Sequence, residues 1–455
     1  MKFSFIGAGS VGFTRKMVAD ILTVPELRDC EISLMDIDEK NLDLIYRVLD
    51  RDIKANNEII GQSNGLSGVR LTKTTERRHS LEGAKYVFSF ARVGGLDAFT
   101  LDVEIPMKYG VNQCVGDTIC AGGIMYGQRT IPVILDICRD IREVAEPDAL
   151  FLNYSNPNAM NTWAANTYGG VRTLGLCHGV QHGHSQIAEV LGLPQSEVDI
   201  ICAEINHQTW YIQVKHRGKD MRGKLLEGFR KHPVYSKQEK VRIDILEKFG
   251  YYSTESNGHL SEYLPWYRKR PDEIERWIDR SSWIHGEPGG YLRECREARA
   301  RFDEEAMAYE TMDTAKYIPE KRSGEHGSRI IEAMETGRIY RGHFNVINRG
   351  AITNLPPDCV VEVPGYADGN GISIPLVGDL PASCAAICNA SIAVQRLSLE
   401  AAIEADPLKL KQAMLMDPLV GAVCNPPEVW ALADEILKAQ SPWLPQYRDY
   451  ITGLK

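Results

Sequence analysis

The chain has 455 residues, 44% of them hydrophobic and 25% charged, a composition that fills a large core and suits two fused domains better than one. Its formal charge is -9, from 52 basic and 61 acidic side chains, with no basic run, so nucleic acid and anionic membranes are excluded as expected partners and a small molecule is favoured. Met1-Lys2 leads directly into Phe3-Ser4-Phe5-Ile6 without a signal-peptide pattern, no apolar stretch of about 18 residues occurs, and the eleven cysteines show no CxxC pairing; the expectation is a cytoplasmic protein with reduced, mostly buried thiols.

The opening segment reads as strand, tight turn and helix: Lys2 to Ile6, then Gly7 to Gly12, then an amphipathic run from Phe13 to Leu22. A second strand, Glu31 to Met35, ends in Asp36-Ile37-Asp38 and is followed by a helical pattern with Leu42, Ile45, Val48 and Leu49 on one face. Further apolar strands are predicted at Tyr86 to Phe90, Leu150 to Tyr154 and Thr173 to Leu176, with helical stretches between them. Such alternation implies a parallel sheet covered on both faces. After about residue 200, charge-rich helices (Lys237 to Lys248, Pro271 to Arg280, Tyr291 to Thr311) replace the alternation. Asn345 to Val363 has β-type content interrupted by Pro356-Pro357, and the last hundred residues read as mainly helical, with Ala-rich segments such as Ala385 to Ala401.

Gly7-x-Gly9-x-x-Gly12 stands between a predicted strand and a predicted helix, the context in which this spacing is informative. The first glycine permits the turn, the second lets backbone approach a pyrophosphate and the third lets the helix pack on the sheet, while the helix N-terminus offers N–H donors to phosphate. Ser10 adds a hydroxyl there. Asp36, roughly twenty residues further on at the end of the second strand, suits the adenosine ribose hydroxyls and favours NAD over NADP. Asp38 reads as a cap for the next helix. The expected fold is therefore α/β, with an N-terminal NAD-binding Rossmann domain of the lactate/malate dehydrogenase type over residues 1–195 and a C-terminal mixed α/β domain over 196–455.

Cys177-His178 closes the strand predicted at Thr173 to Leu176, and ligands of open parallel sheets bind outside the carboxyl ends of strands. Asn206-His207 follows the apolar segment Ile200 to Ile205, so a thiol and an imidazole could converge on a divalent cation with coordination positions left open. Asn153 and Asn156-Pro157 end another strand, either facing the nicotinamide ribose or a sugar or simply building a turn. Asp117, in a loop ahead of a long helix, reads equally as a site residue or a helix cap.

Together these residues resemble glycoside hydrolase family 4, the NAD- and metal-dependent glycosidases. The resemblance spans nearly the whole chain through Gly7-Ala8-Gly9-Ser10, Asp36-Ile37-Asp38, Val93-Gly94-Gly95, Gly116-Asp117-Thr118 with Gly122-Gly123-Ile124, Asn153 to Pro157, Gly175 to Gly179 and Ile205-Asn206-His207. Within the family the chain is similar to the α-galactosidase branch, through Ala159 to Ala164, Thr254-Glu255-Ser256, Glu262-Tyr263, Pro265-Trp266, Asn354-Leu355-Pro356 and Met416-Asp417-Pro418. The resemblance implies that Cys177 and His207 ligate Mn2+ and that Asn153 and Asp117 contact the sugar or its surroundings. It also implies hydrolysis of terminal α-galactosides by oxidation at C3, deprotonation at C2, elimination, water addition and re-reduction, a route that departs from the usual carboxylate pair. A homodimer or homotetramer would suit the family.

Phospho-glycosidases of the family carry Glu at the position of Asp117 and Asp at that of His178, which disfavours a 6-phosphorylated substrate. Arg92 is expected to touch substrate and could read a C6 carboxylate, which keeps an α-galacturonidase, and beside it an α-glucosidase, as alternatives. His259, with Tyr263 nearby, is the expected base. A reading from another class, a 2-hydroxy acid dehydrogenase of the lactate or malate type, shares the cofactor domain but has no use for the Cys177/His207 pair.

Overall fold

The computed structural model describes residues 1–61, 68–311 and 322–454. Six strands, Lys2–Ile6 (β1), Glu31–Met35 (β2), Arg70–Thr74 (β3), Tyr86–Ser89 (β4), Leu150–Asn153 (β5) and Thr173–Gly175 (β6), pair in parallel in the order 3-2-1-4-5-6. That is the doubly wound order, and the direction of winding reverses between β1 and β4, opening a crevice at their carboxyl ends. β4, β5 and β6 are buried along their whole length. Helices Val11–Leu22, Glu39–Gly61, Gly95–Lys108, Cys120–Val144 and Asn158–Thr167 connect these strands. Coverage on both faces is why these strands read as continuous apolar runs instead of alternating ones.

β3 has no counterpart among the strands expected from sequence. Its residues Arg70-Leu71-Thr72-Lys73-Thr74 lie at the sheet edge and none is buried, so apolar content carries no signal for it. The predicted helix over Lys237 to Lys248 is divided into Tyr235–Gln238 and Lys240–Phe249 at Glu239, whose buried carboxylate pairs with Arg242 at 3.0 Å. The β-rich stretch around Pro356-Pro357 becomes two strands, Tyr340–Ile347 and Val360–Asp368, joined by the loop that contains the prolines.

With Val198–Ile205 (β7), Gln208–His216 (β8) and Lys219–Asp220 (β9) preceding them in the chain, these two strands are β10 and β11, and Gly371–Ser373 is β12. They continue the parallel sheet. β10 joins β6 antiparallel at Asn345 and Gly175, β11 lies on β10, and β7 meets β11 at Glu204 and Glu362, giving one sheet of twelve strands drawn from both sides of residue 195. A Cβ on Gly175 would collide with Asn158 Oδ1 and Thr162 Oγ1, so only glycine lets the helix that carries Asn158 sit this close to β6. Asn158 uses that proximity to donate to the carbonyls of Asn153 and Leu176 at 3.2 and 3.1 Å, tying together the ends of β5 and β6.

The helix Cys120–Val144 is buried around nearly its whole circumference up to Ile131. Its apolar residues Ile124, Met125 and Ile131 share a core with Trp163, Trp210, Leu260, Val361, Ile392, Leu399 and Leu432, so side chains from both halves of the sequence fill one interior. Within it Arg129, 2% exposed, forms a two-point ion pair with the fully buried Asp102 at 2.8 and 2.5 Å and also meets Gln440 near the C-terminus. Removing one partner of such a pair strands a charge in low dielectric. Arg129→Met should therefore cost about 3–5 kcal/mol, read as a lowered thermal midpoint, and adding Asp102→Leu should recover much of the loss. Equal destabilisation by the single and double variants would contradict this.

Candidate active site

At the crevice, Gly7 has φ +81°, and a Cβ there would lie 2.8 Å from Ala91 N, so the turn after β1 requires glycine. Gly9 N donates to Asp36 Oδ2 at 2.7 Å, which brings the carboxylate at the end of β2 against the glycine turn. Gly12 follows in the first turn of the helix Val11–Leu22. Asp38 Oδ1 accepts from Asn41 N at 3.0 Å, the capping bond expected of it.

Across the crevice, three ionisable side chains from separate segments converge. Cys177 follows β6, and its sulfur accepts from Gly179 N at 3.4 Å. His207 lies in the two-residue link between β7 and β8 with φ +68°, a conformation rare for residues other than glycine and held here by the hairpin. Glu255 follows a bridge of Ser253 to Trp210, with Thr254 Oγ1 accepting from Thr209 N at 3.2 Å. His207 Nε2 is 3.0 Å from Glu255 Oε2, and donor atoms of Cys177, His207 and Glu255 all lie within 4.8 Å of one another. A Cβ on Gly179 would lie 2.7 Å from Glu255 Cγ, so the glycine of Cys177-His178-Gly179 makes room for the carboxylate. Burial alone would raise the Glu255 carboxyl, but His207 and His259 outweigh it and hold it well below the usual carboxylate range. His259 sits 3.6 Å from the same oxygen, at the start of the helix Asn257–Tyr263 that Ser256 caps by accepting from His259 N. Burial, reinforced by His207 and His178 against the pull of Glu255, pushes the His259 imidazole down to about 3.

A cavity of about 330 Å³ joins these two regions. Ser10, Phe13 and Phe90 line its glycine-turn end, Cys177, His207, Glu255 and His259 its middle, and Asp117, Trp283 and Tyr291 are also in its wall. Asp117 is 1% exposed; its Oδ2 accepts from Asn156 Nδ2 at 3.2 Å and lies 3.6 Å from Arg92, while Oδ1 has no partner. Burial raises its carboxyl and Arg92 opposes that rise. Asp117 does not cap a helix: Cys120–Val144 begins beyond it, after Ile119. The loop before it is clamped by Glu262, whose Oε1 accepts from Cys114 N and Val115 N at 2.5 and 3.0 Å.

The structure thus brings Ser10, Asp117, Cys177, His178, His207 and His259 to one cavity, with Gly7, Gly9, Gly12 and Asp36 in the turn beside it. His178 stands exposed at the rim, 3.8 Å from Glu325. Three further expected site residues lie neither in the cavity wall nor in the glycine turn. Asn153 is buried and spends its amide on Ser155 N and Ser155 O, folding back on the turn that it starts, so Asn156 and Asn158 line the cavity instead. Tyr263 lies in the core with its hydroxyl donating to Asn206 O at 3.3 Å. Arg92 lies beside Asp117, 3.6 Å from its Oδ2, among aromatic rings. Nothing in the local pattern Thr254-Glu255-Ser256 marks Glu255 for a role, because its partners His207 and Cys177 lie some fifty and eighty residues away. Trp283 and Tyr291, which also line the cavity, likewise carry no local signal in the sequence.

A doubly wound sheet with a glycine turn, facing a thiol, an imidazole and a carboxylate across one cavity, defines an enzyme of the Rossmann class with a polar reaction site. Residues 2–193 match the family 4 glycosyl hydrolase profile and residues 202–420 that of the family 4 glycosyl hydrolase C-terminal domain. An alpha-galactosidase of Rhizobium meliloti (strain 1021) is 58% identical over 455 residues, all of this chain and 91% of that protein. An alpha-galactosidase of Bacillus subtilis (strain 168) is 35% identical over 98% of this chain and 100% of its own length. The fold also superposes on the 6-phospho-beta glucosidase of Thermotoga maritima solved with manganese, NAD+ and glucose-6-phosphate, with a TM-score of 0.77, 22% identity, and coverage of 97% of this chain and 99% of that one. The chain belongs to glycosyl hydrolase family 4, and it is a glycoside hydrolase.

Burial pushes the Glu262 carboxyl from 4.5 up to about 7, against the pull of Arg268 and the two backbone N–H groups. The folded protein holds this proton more tightly than the unfolded chain, so the group's contribution to stability falls as pH rises from about 4.5 to about 7, by on the order of 3 kcal/mol. Glu262→Gln keeps an acceptor for both N–H groups and removes the titration. Its thermal midpoint should change less than that of the wild type between pH 5 and pH 8; an unchanged pH dependence would contradict the assignment.

Proposed function

We propose that this enzyme hydrolyses terminal α-galactosides of the melibiose type with NAD and a divalent cation, Mn2+. The observation that carries the reading is the convergence of Cys177, His207 and Glu255 in the same cavity as the glycine turn. Thiol, imidazole and carboxylate at these separations form a donor set for a borderline-soft divalent ion, and three protein ligands leave positions for sugar oxygens. His207 Nε2, which faces Glu255 Oε2 at 3.0 Å, fits that role. Gly7, Gly9, Ser10, Gly12 and Asp36 would hold the dinucleotide, with Asp36 exchanging its bond to Gly9 N for ribose hydroxyls. Bound together, the two groups supply reversible hydride transfer and Lewis-acid polarisation.

The chain's own residues do the rest. Asp117 presents a buried oxygen without a partner, which accepts a sugar hydroxyl and orients the ring. Trp283 and Phe90 offer apolar faces to its carbons. His259 is the proposed acceptor of the C2 proton: its ring lines the cavity, it is neutral, and its Nε2 is buried with no partner. Tyr263 is the weaker choice, since its hydroxyl is committed to Asn206 O.

Hydrolysis of p-nitrophenyl α-galactoside should require Mn2+, NAD+ and a thiol reductant, each omitted in turn; turnover indifferent to all three omissions would end the proposal. Net NADH formation from a 2-hydroxy acid would instead favour the dehydrogenase. Cys177→Ser should weaken Mn2+ binding by roughly a hundredfold or more, measured by metal titration, and leave NAD affinity intact. An unchanged titration would remove Cys177 from the ligand set.

A further inference from the structure

We infer that Arg92 is a positioning residue, not a substrate reader: it fixes the negative charge of Asp117, and through it the site selects a neutral hexoside over a uronide. The inference rests on the α-galactosidase reading and adds what sets its selectivity. Arg92 is absent from the cavity wall. Its guanidinium lies 4.7 Å from the ring centre of Phe99, 5.8 Å from Tyr126 and 5.6 Å from Tyr291. A cation flanked by three ring faces is held there by their quadrupoles. The one side-chain hydroxyl it donates to is Tyr291's, at 3.3 Å, and the carboxylate it faces is Asp117's, at 3.6 Å.

This arrangement settles what the cavity offers a ligand. Tyr291 and Asp117 line the cavity and Arg92 does not, so the charged side chain of this pair that the cavity wall offers a ligand is Asp117's. Asp117 turns Oδ2 to Arg92 and Asn156 and leaves Oδ1 buried and unsatisfied. An acceptor in that state needs a donor, and a sugar hydroxyl supplies one. A C6 carboxylate supplies none and meets a like charge, while the nearby cation is already matched. Two opposite charges 3.6 Å apart, of which the negative one lines the cavity, therefore present that member to substrate, and neutralising it would leave the positive field beside it unmatched.

The test compares wild type, Arg92→Gln, Arg92→Lys and Asp117→Asn on p-nitrophenyl α-galactoside and α-galacturonide, with galactose and galacturonate affinities measured calorimetrically on enzyme loaded with Mn2+ and NAD+. Wild type should prefer the neutral sugar by about a hundredfold or more, the size expected when a like charge is excluded. Asp117→Asn should lose galactoside activity yet shrink or invert the galactose-to-galacturonate ratio in binding. Arg92→Gln should lower galactoside kcat/KM without a selective loss of galacturonide, and Arg92→Lys should restore part of it. A wild type that binds galacturonate as well as galactose, or an Arg92→Gln variant that loses galacturonate selectively, would overturn the inference. If wild type turns over neither glycoside, the α-galactosidase reading fails, and the affinity ratios still decide the role of Arg92.

Discussion

A thiol, an imidazole and a carboxylate, carried by residues 177, 207 and 255, are packed so tightly that their donor atoms fall within 4.8 Å. Removing ionisable groups from water is costly unless they pair, and here the pairing is mutual: Glu255 is stabilised as an anion by His207 and His259, and His207 is held above the usual imidazole range, against the effect of burial, by Glu255 and Cys177. Much of the nearby backbone serves that grouping. His207 accepts a left-handed conformation, Gly179 gives up a side chain, and the segment before Glu255 is stitched to β8 through Thr209.

The grouping is possible because strands from the second half of the chain continue the sheet of the first. β10 adds to the open edge of the parallel sheet beside β6, β11 and β7 follow, and the β7–β8 turn returns His207 toward the thiol that ends β6. The long helix Cys120–Val144 shares its core with the C-terminal helices, and buried groups such as Arg129 and Glu262 link distant segments to the loops that carry Arg92 and Asp117. Glycine turn and polar cluster are thus fixed relative to each other by a continuous sheet and a common interior.

Much of this was legible in the sequence where local chemistry forces local structure. Gly7, Gly9 and Gly12 stand where a turn and a close approach require them, the runs Tyr86 to Phe90 and Leu150 to Tyr154 are apolar because helices cover both faces, and Cys177 and His207 end strands. The parallel sheet and the family followed from these features, and the structure and the relatives agree. Polar edge strand β3 lacked a periodic signal, and the joining of β6 to β10 depends on pairing residues 170 positions apart. Glu255 was silent for the same reason, since its meaning comes from neighbours far away in sequence. Asn153 and Arg92 show the opposite limit: each has ligand-binding chemistry in the right stretch, and in the structure one amide bonds within its own turn while one guanidinium lies among aromatic rings beside Asp117.

The central claim is that Cys177, His207 and Glu255 hold one cation beside the cofactor turn. Anomalous diffraction at the manganese edge, from crystals grown with Mn2+ and NAD+, measures this directly. The account predicts a single strong peak roughly 2.0–2.6 Å from the sulfur of Cys177, a ring nitrogen of His207 and a carboxylate oxygen of Glu255. A peak bound elsewhere, or one that leaves both Cys177 and His207 out of its coordination, would contradict it.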